Sequence, residues 1–341
     1  MKLKKIACLG LAAMVALGAL GCGSDNKAAD NKAGSKVTGS VTGSGSSALL
    51  PLAKDAASKF KAINPDVSIT LNGGGSGTGL KQVADGRVNI GNSDVPAESK
   101  LKPEVAKGLV DHKVCVVTMA PVINKDLAAK VKSLTKAQLT DIFTAKVTNW
   151  KQVGGPDEPI VLITRPATSG TRALFQEFAL GGAKEATNKS LETDDSGTLL
   201  QSVKDNKGAI GYVALSYLVN NKDVATVAID GVEPTLDNTY SGKYPVWGYE
   251  HMYTKGEATG AVKAFLDFIL SADYGKEIEK QGYGVLTGKC QPAVIFYMFQ
   301  SHAQPVLLLC LLHTHIHYAV GLTAERIYCN SHLLAKLWRS N

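Results

Sequence analysis

Reactive side chains are scarce through the long middle of this chain. Between residues 23 and 285 there is one cysteine, Cys115, and there are two histidines, His112 and His251. One cysteine cannot close an internal disulfide, and within VCVVTMA it reads as a small core hydrophobe. Two histidines leave few partners for an activated serine, and no GxSxG elbow is present. Metal-ligand spacing is absent from this region, and no loop carries the Gly-Lys-Ser/Thr of a Walker A motif. Aromatic residues make up 6% of the chain, and no Lys/Arg cluster interleaves with them, which argues against nucleic acid as a partner. The net charge of +7 includes Lys2, Lys4 and Lys5, so the body is only mildly basic.

Those lysines open a leader, MKLKKIACLGLAAMVALGALGC, whose apolar run from Ile6 to Leu20 is too short for a mature membrane span. The small residues before Cys22 resemble a bacterial lipoprotein signal. That resemblance implies cleavage before Cys22 and lipid on its thiol. Ala19 stands where the pattern prefers Leu, so an ordinary signal peptide with an incidental cysteine stays open. Residues 1–21 are expected to be the signal peptide. Residues 22–36, polar and without periodicity, are expected to be a flexible tether at an extracytoplasmic membrane surface.

From Lys36 onward, strand-like and helix-like stretches alternate, and 341 residues give room for two domains. KVTGSV and VSITLNG read as strands. Between them ALLPLAKDAASKFKAI puts Leu49, Leu52, Ala53, Ala56, Phe60 and Ile63 on one helical face. SLTKAQLTDIF opens with Thr135 and Gln138 at capping-box spacing. AVKAFLDFILSADYGKEIEKQG reads as one amphipathic helix, with Val262, Phe265, Leu266 and Ile269 together. The pattern predicts two α/β lobes, each a mainly parallel sheet flanked by helices. VCVVTMAPVIN and YPVWGYEHMYT are the candidate crossings. The expected boundaries are 37–113 with 248–288 for lobe I and 114–247 for lobe II.

Three loops of one kind follow strands and precede helices: GSGSSALL (43–50), GGGSGTGLKQV (73–83) and RPATSGTRALF (165–175). Helix N-termini present free N–H groups and positive dipole ends, and glycine allows an anion close approach. GSGSSA formally matches a dinucleotide fingerprint, but the next strand ends in Asn72-Gly73 without the acidic residue that pattern needs. Arg165 supplies a forked cationic donor beside one loop. Asp94 ends the strand RVNIGNSD on the side of the loops. A carboxylate in an anion site makes sense only if the ligand carries a proton, because a carboxylate accepts and cannot donate. Phosphate has such a proton; fully ionised sulfate does not.

GSGSS, GGGSGTGLKQVADG with VNIGNSD, LTDIFTAKVTNWKQVGG, ITRPATSGTRALF and GAIGYVALSYL together resemble the phosphate-binding proteins of bacterial phosphate ABC transporters, which have the type II periplasmic-binding fold. The likeness runs over about residues 37–284 in family order. It implies two lobes closing on phosphate about a hinge, a single chain as the working unit, and docking on membrane permease subunits. It implies no cofactor and no catalysis. Carried onto this sequence, it implies contacts from Ser47 and the Ala48 N–H, from Ser76 with Gly77 or Thr78, and from Asp94, Arg165, Ser169, Gly170 and Thr171. The second loop departs from the family form with two adjacent serines, which leaves its contacting hydroxyl open. Another tetrahedral oxyanion (sulfate or molybdate) and a secreted phosphatase are the rival readings.

The likeness stops near Gly284. From Cys290 to Asn341 only Glu325, Arg326, Lys336 and Arg339 are charged, and five of the seven histidines fall there. His313, His315 and His317 alternate as strand-borne metal ligands would, and AVIFYMF and PVLLLCLL are membrane-like but are interrupted by Gln300, Ser301, His302 and Gln304. The abrupt loss of charge favours a third reading, a shifted reading frame across residues 289–341.

Overall fold

A computed structural model describes residues 37–286, so Cys22, the tether and the anomalous tail lie outside the described residues. Among the described residues there are eleven strands: β1 (Gly39–Gly45), β2 (Val67–Asn72), β3 (Ile90–Ser93), β4 (Leu109–Asn124), β5 (Ser133–Leu134), β6 (Val161–Thr164), β7 (Leu191–Glu192), β8 (Ala209–Ala214), β9 (Val224–Thr226), β10 (Ala228–Ile229) and β11 (Trp247–Lys255). The α-helices are α1 (Leu50–Ile63), α2 (Ser76–Ala84), α3 (Pro103–Ala106), α4 (Lys136–Phe143), α5 (Gly170–Phe178), α6 (Ser196–Asp205), α7 (Leu236–Tyr240), α8 (Gly260–Ile269) and α9 (Ala272–Ile278).

Nine strands form one hydrogen-bonded sheet in the order β2-β1-β3-β11-β4-β8-β6-β7, with β9 also on β4. The outer pairs β1–β2, β1–β3, β6–β7 and β6–β8 are parallel, as strand–helix alternation predicts. The centre, where the two crossing strands lie, is antiparallel, so the sheet as a whole is mixed. The chain crosses the middle outward on β4 and returns on β11, so the two crossing strands run opposite ways. Residues 109–118 of β4 pair with β11, and residues 119–124 pair with β8 and β9. One long strand thus belongs to both halves and makes the sheet continuous.

The helices follow from their apolar spacing. In α1, Leu52, Ala53, Ala56 and Phe60 are buried, with Pro51 in the first turn where no N–H is needed. Ile63 departs from the expected face: it is 67% exposed, at the last residue of the helix. Thr135 and Gln138 form the expected capping box on α4. The expected single helix near the end is two. Ser271 caps α9 by accepting from the Tyr274 N–H, which ends α8 at Ile269. Phe265, Leu266 and Ile269 are buried as predicted, and Val262 is half-buried. Cys115 lies fully buried in the core. Among the described residues no helix is long and apolar enough to cross a membrane.

Candidate anion-binding site

The site begins with backbone only glycine permits. Gly45, at φ 131°, ends β1 with its Cα against the Asn92 carbonyl, where any side chain would collide. The Ser46 N–H donates to Asn92 O at 2.9 Å, and Ser46 Oγ accepts from Leu49 N at 2.9 Å. This fixes the first loop and presents Ser47. The second loop turns through Gly74 and Gly75, and the Gly75 N–H donates to Gly45 O at 2.8 Å. Ser76 then opens α2, fully buried, and its Oγ accepts from the Asp94 N–H at 3.0 Å. Strand β3 therefore delivers Asp94 against the start of α2.

The third loop meets the first two. Thr171 Oγ1 donates to Asp94 Oδ2 at 2.8 Å. Gly170 lies so close to Ser76 Oγ and the Asp94 side chain that a Cβ there would collide with both. Ser169 caps α5 by accepting from the Arg172 N–H at 3.1 Å. The Gly77 N–H is taken by Thr168 O at 2.9 Å, and the Thr78 N–H by Gly75 O at 3.1 Å. In this arrangement Ser76 is the member of the 76–78 loop that joins the polar cluster. Ala48 is buried beside Ser47.

Arg165 is 0% exposed. Its Nε donates to Thr193 O at 3.1 Å, its Nη2 to Asp194 O at 2.9 Å and its Nη1 to Ser196 Oγ at 3.1 Å. Burial pushes its pKa down, while Tyr212, Asp94 and Asp195 push it up. A guanidinium keeps its charge under such pressure. Behind it Arg172 donates to Arg165 O at 2.7 Å and pairs with buried Glu185 at 3.3 Å.

Sequence reasoning missed Ser196. Its Oγ lies 2.9 Å from Ser47 Oγ, and its N–H donates to Ser47 Oγ at 3.2 Å. The signal was present, since Ser-Gly-Thr occurs at 76–78, 169–171 and 196–198, each time at a helix start. Lys100 was also missed; its Nζ donates to Ala167 O at 2.9 Å, and burial lowers its pKa.

Asp94 is 1% exposed, and its Oδ1 has no hydrogen-bond partner. It is an orphaned acceptor beside Ser76 and the Thr171 hydroxyl; Ser47 bonds Ser196, which accepts from the desolvated Arg165 guanidinium, whose charge Asp94 feels, and these groups sit at the starts of α1, α2, α5 and α6. Such a cluster complements a small tetrahedral oxyanion that brings a proton of its own. Two lobes joined by crossing strands, with this cluster between their helix starts, define a two-lobed solute-binding protein.

Comparison with known proteins agrees. Residues 30–273 match the family model of the PBP superfamily domain. The chain is 47% identical over 289 residues to the phosphate-binding protein PstS of Bacillus subtilis, covering 83% of this chain and 94% of that protein. It is 30% identical to a phosphate-binding protein PstS of Staphylococcus epidermidis, over 80% of this chain and 86% of that one. A crystal structure from Clostridium perfringens, assigned to phosphate ABC transporter substrate-binding proteins and holding phosphate, superposes with a TM-score of 0.67 at 36% identity, covering 73% of this chain and all of the other. An ABC-type phosphate transport receptor from Vibrio cholerae superposes at 0.57 with 25% identity, covering 72% of this chain and 99% of that one. The chain belongs to the PstS family of phosphate-binding proteins.

Proposed function

We infer that this chain is an extracytoplasmic receptor that captures inorganic phosphate reversibly and delivers it to an ABC transporter for import. It is a binding protein and not an enzyme, like its relatives. The observation that carries the phosphate reading is Asp94, a buried carboxylate with one oxygen unpartnered in a cluster otherwise made of donors. A monohydrogen or dihydrogen phosphate donates its own O–H there. Sulfate and molybdate, fully ionised, meet repulsion.

The proposed contacts are Ser47 and the Ala48 N–H from one side, Ser76 and Asp94 beneath, and Arg165, Ser169, Gly170 and Thr171 opposite. Ser196 joins them through its bonds to Arg165 and Ser47. The proposed lobes are 37–113 with 248–288 and 114–247, with β4 and β11 as the flexing connection. Lipid on Cys22 is proposed to hold this single-chain receptor at the membrane, within reach of the permease subunits.

Titration calorimetry with phosphate and sulfate between pH 6 and 9 tests the reading. Saturable heat with phosphate and little with sulfate is expected. Equal affinities would remove the role given to Asp94, and turnover of a chromogenic phosphate ester would overturn the binding reading.

A further inference from the structure

Glu250 is the most conspicuous group that the phosphate cradle leaves unused. It lies on β11 opposite Cys115 of β4, at the register shift between Glu250 and His251. Trp247, Tyr249, His251 and Tyr253 line a cavity on one face of this strand, and alternation turns Glu250 to the other face. The side chain is 0% exposed, and neither of its oxygens makes a hydrogen bond of good geometry.

The groups that face it come from every element around it. Asp94 follows β3, Ser46 follows β1, Cys115 lies on β4, Tyr217 follows β8 and Tyr283 follows α9. None is a cation, and the one charged group among them is another carboxylate. Antiparallel pairing of Ser93 with His251 sets Asp94, the next residue after β3, beside Glu250 on β11, and two neighbouring carboxyl groups in a dry interior cannot both ionise. Asp94 accepts from Thr171 Oγ1 and lies within reach of the Arg165 charge. For Glu250 only the Ser46 hydroxyl favours the ionised form, and it is outweighed. Burial, then the Asp94 charge, drive its pKa well up. Glu250 therefore holds its proton.

We propose that Glu250 is a positioning residue of the anion site: a neutral carboxylic acid behind Asp94 whose O–H keeps Asp94 a pure acceptor toward the ligand. An acceptor-only Asp94 is what separates a protonated oxyanion from an unprotonated one, so Glu250 acts on selectivity without touching phosphate. The ligand in this proposal rests on the phosphate reading above. The buried proton does not.

Two variants and one wild-type measurement test it. Glu250→Gln keeps the shape and a donor and cannot ionise. Glu250→Met removes the donor. A glutamate with a raised folded pKa binds its proton more tightly folded than unfolded, so it costs stability as pH rises from about 4.3 upward. Without phosphate, the thermal midpoint of Glu250→Gln should gain steadily on wild type from pH 5 to pH 8. In titrations, Glu250→Gln should keep phosphate affinity within about threefold at pH 6 and retain discrimination against sulfate, whereas Glu250→Met should lose about tenfold of that discrimination, the usual worth of one hydrogen bond to a charged group. A pH-independent midpoint difference, or a Glu250→Gln variant more than tenfold weaker at pH 6, would overturn the proposal. If the variants do not fold, carbon NMR of wild-type protein labelled at glutamate carboxyls decides. A backbone-assigned Glu250 carboxyl still neutral at pH 8 supports it, and an ionised one sinks it. A wild-type protein that holds this proton but binds no phosphate would fail the phosphate reading alone.

Discussion

Thr171 Oγ1 donates to Asp94 Oδ2 at 2.8 Å, joining the start of α5 to the end of β3 across 77 residues of sequence. One carboxylate oxygen is thereby fixed, and the other, Oδ1, is the one proposed to take a ligand hydroxyl. Asp94→Asn puts an amide in its place, which can donate. Phosphate affinity should fall about 10- to 100-fold, the cost of one charge-assisted hydrogen bond, while sulfate binding rises. Competitive titration of the two anions checks it, and an unchanged phosphate-to-sulfate ratio would count against it.

Arg165→Ala should harm both binding and the fold. The sequence alone presents this arginine as a ligand contact beside a loop, with little weight in stability. In the structure it also satisfies the carbonyls of Thr193 and Asp194, which become orphaned when it is cut back. Thermal denaturation should show a loss of about 3 kcal/mol, and phosphate affinity should drop by at least about 100-fold. A binding defect with full stability would mean those carbonyls find water.

Gly170→Ala tests how closely the halves of the cluster approach. The added methyl meets Ser76 Oγ and the Asp94 side chain, not solvent. The helix itself gains from alanine by up to about 1 kcal/mol. The variant should therefore stay folded and lose about 10-fold or more in phosphate affinity, from the separation that about 1.4 kcal/mol of overpacking imposes. Calorimetry paired with circular dichroism separates the two effects.

Glu185 predicts a pH dependence of stability independent of any ligand. Its side chain is buried against Arg172 at 3.3 Å and Tyr212 OH at 3.1 Å. Burial raises its pKa from 4.5 to about 7, with Arg172 and Tyr212 opposing. The folded state binds the proton more tightly than the unfolded one, so stability is full below about pH 4.5 and declines as pH rises toward 7. The contribution is about 3 kcal/mol across that window. Glu185→Gln should flatten this part of the profile in denaturant titrations at pH 5 and pH 7. An unaltered slope would place the titrating group elsewhere.

Much of this architecture is legible before any coordinates, because strand–helix alternation and glycine-rich junctions are local signals. Thr135 with Gln138, the buried stripe of α1 and the positions of Arg165 and Asp94 all follow from spacing. The antiparallel centre does not, since it depends on the chain crossing twice, and local periodicity says nothing about pairing partners. The break between α8 and α9 hides because the apolar period continues through Ser271. Ser196 was visible only as the third Ser-Gly-Thr, behind a weak two-residue strand. Glu250 was hidden in an aromatic strand, where a lone acid reads as an exposed position.

The three bonds that hold Arg165 bear on repeated use. An arginine free in solvent surrenders up to about 2 kcal/mol of rotamer freedom when a ligand pins it. Here the guanidinium is already locked to Thr193, Asp194 and Ser196. That entropy is lost once, when the chain folds, and not again at each capture. With the ligand contact proposed for Arg165, a receptor that loads and unloads many times would keep this group permanently aimed, and each arriving ion would meet a surface with less left to organise.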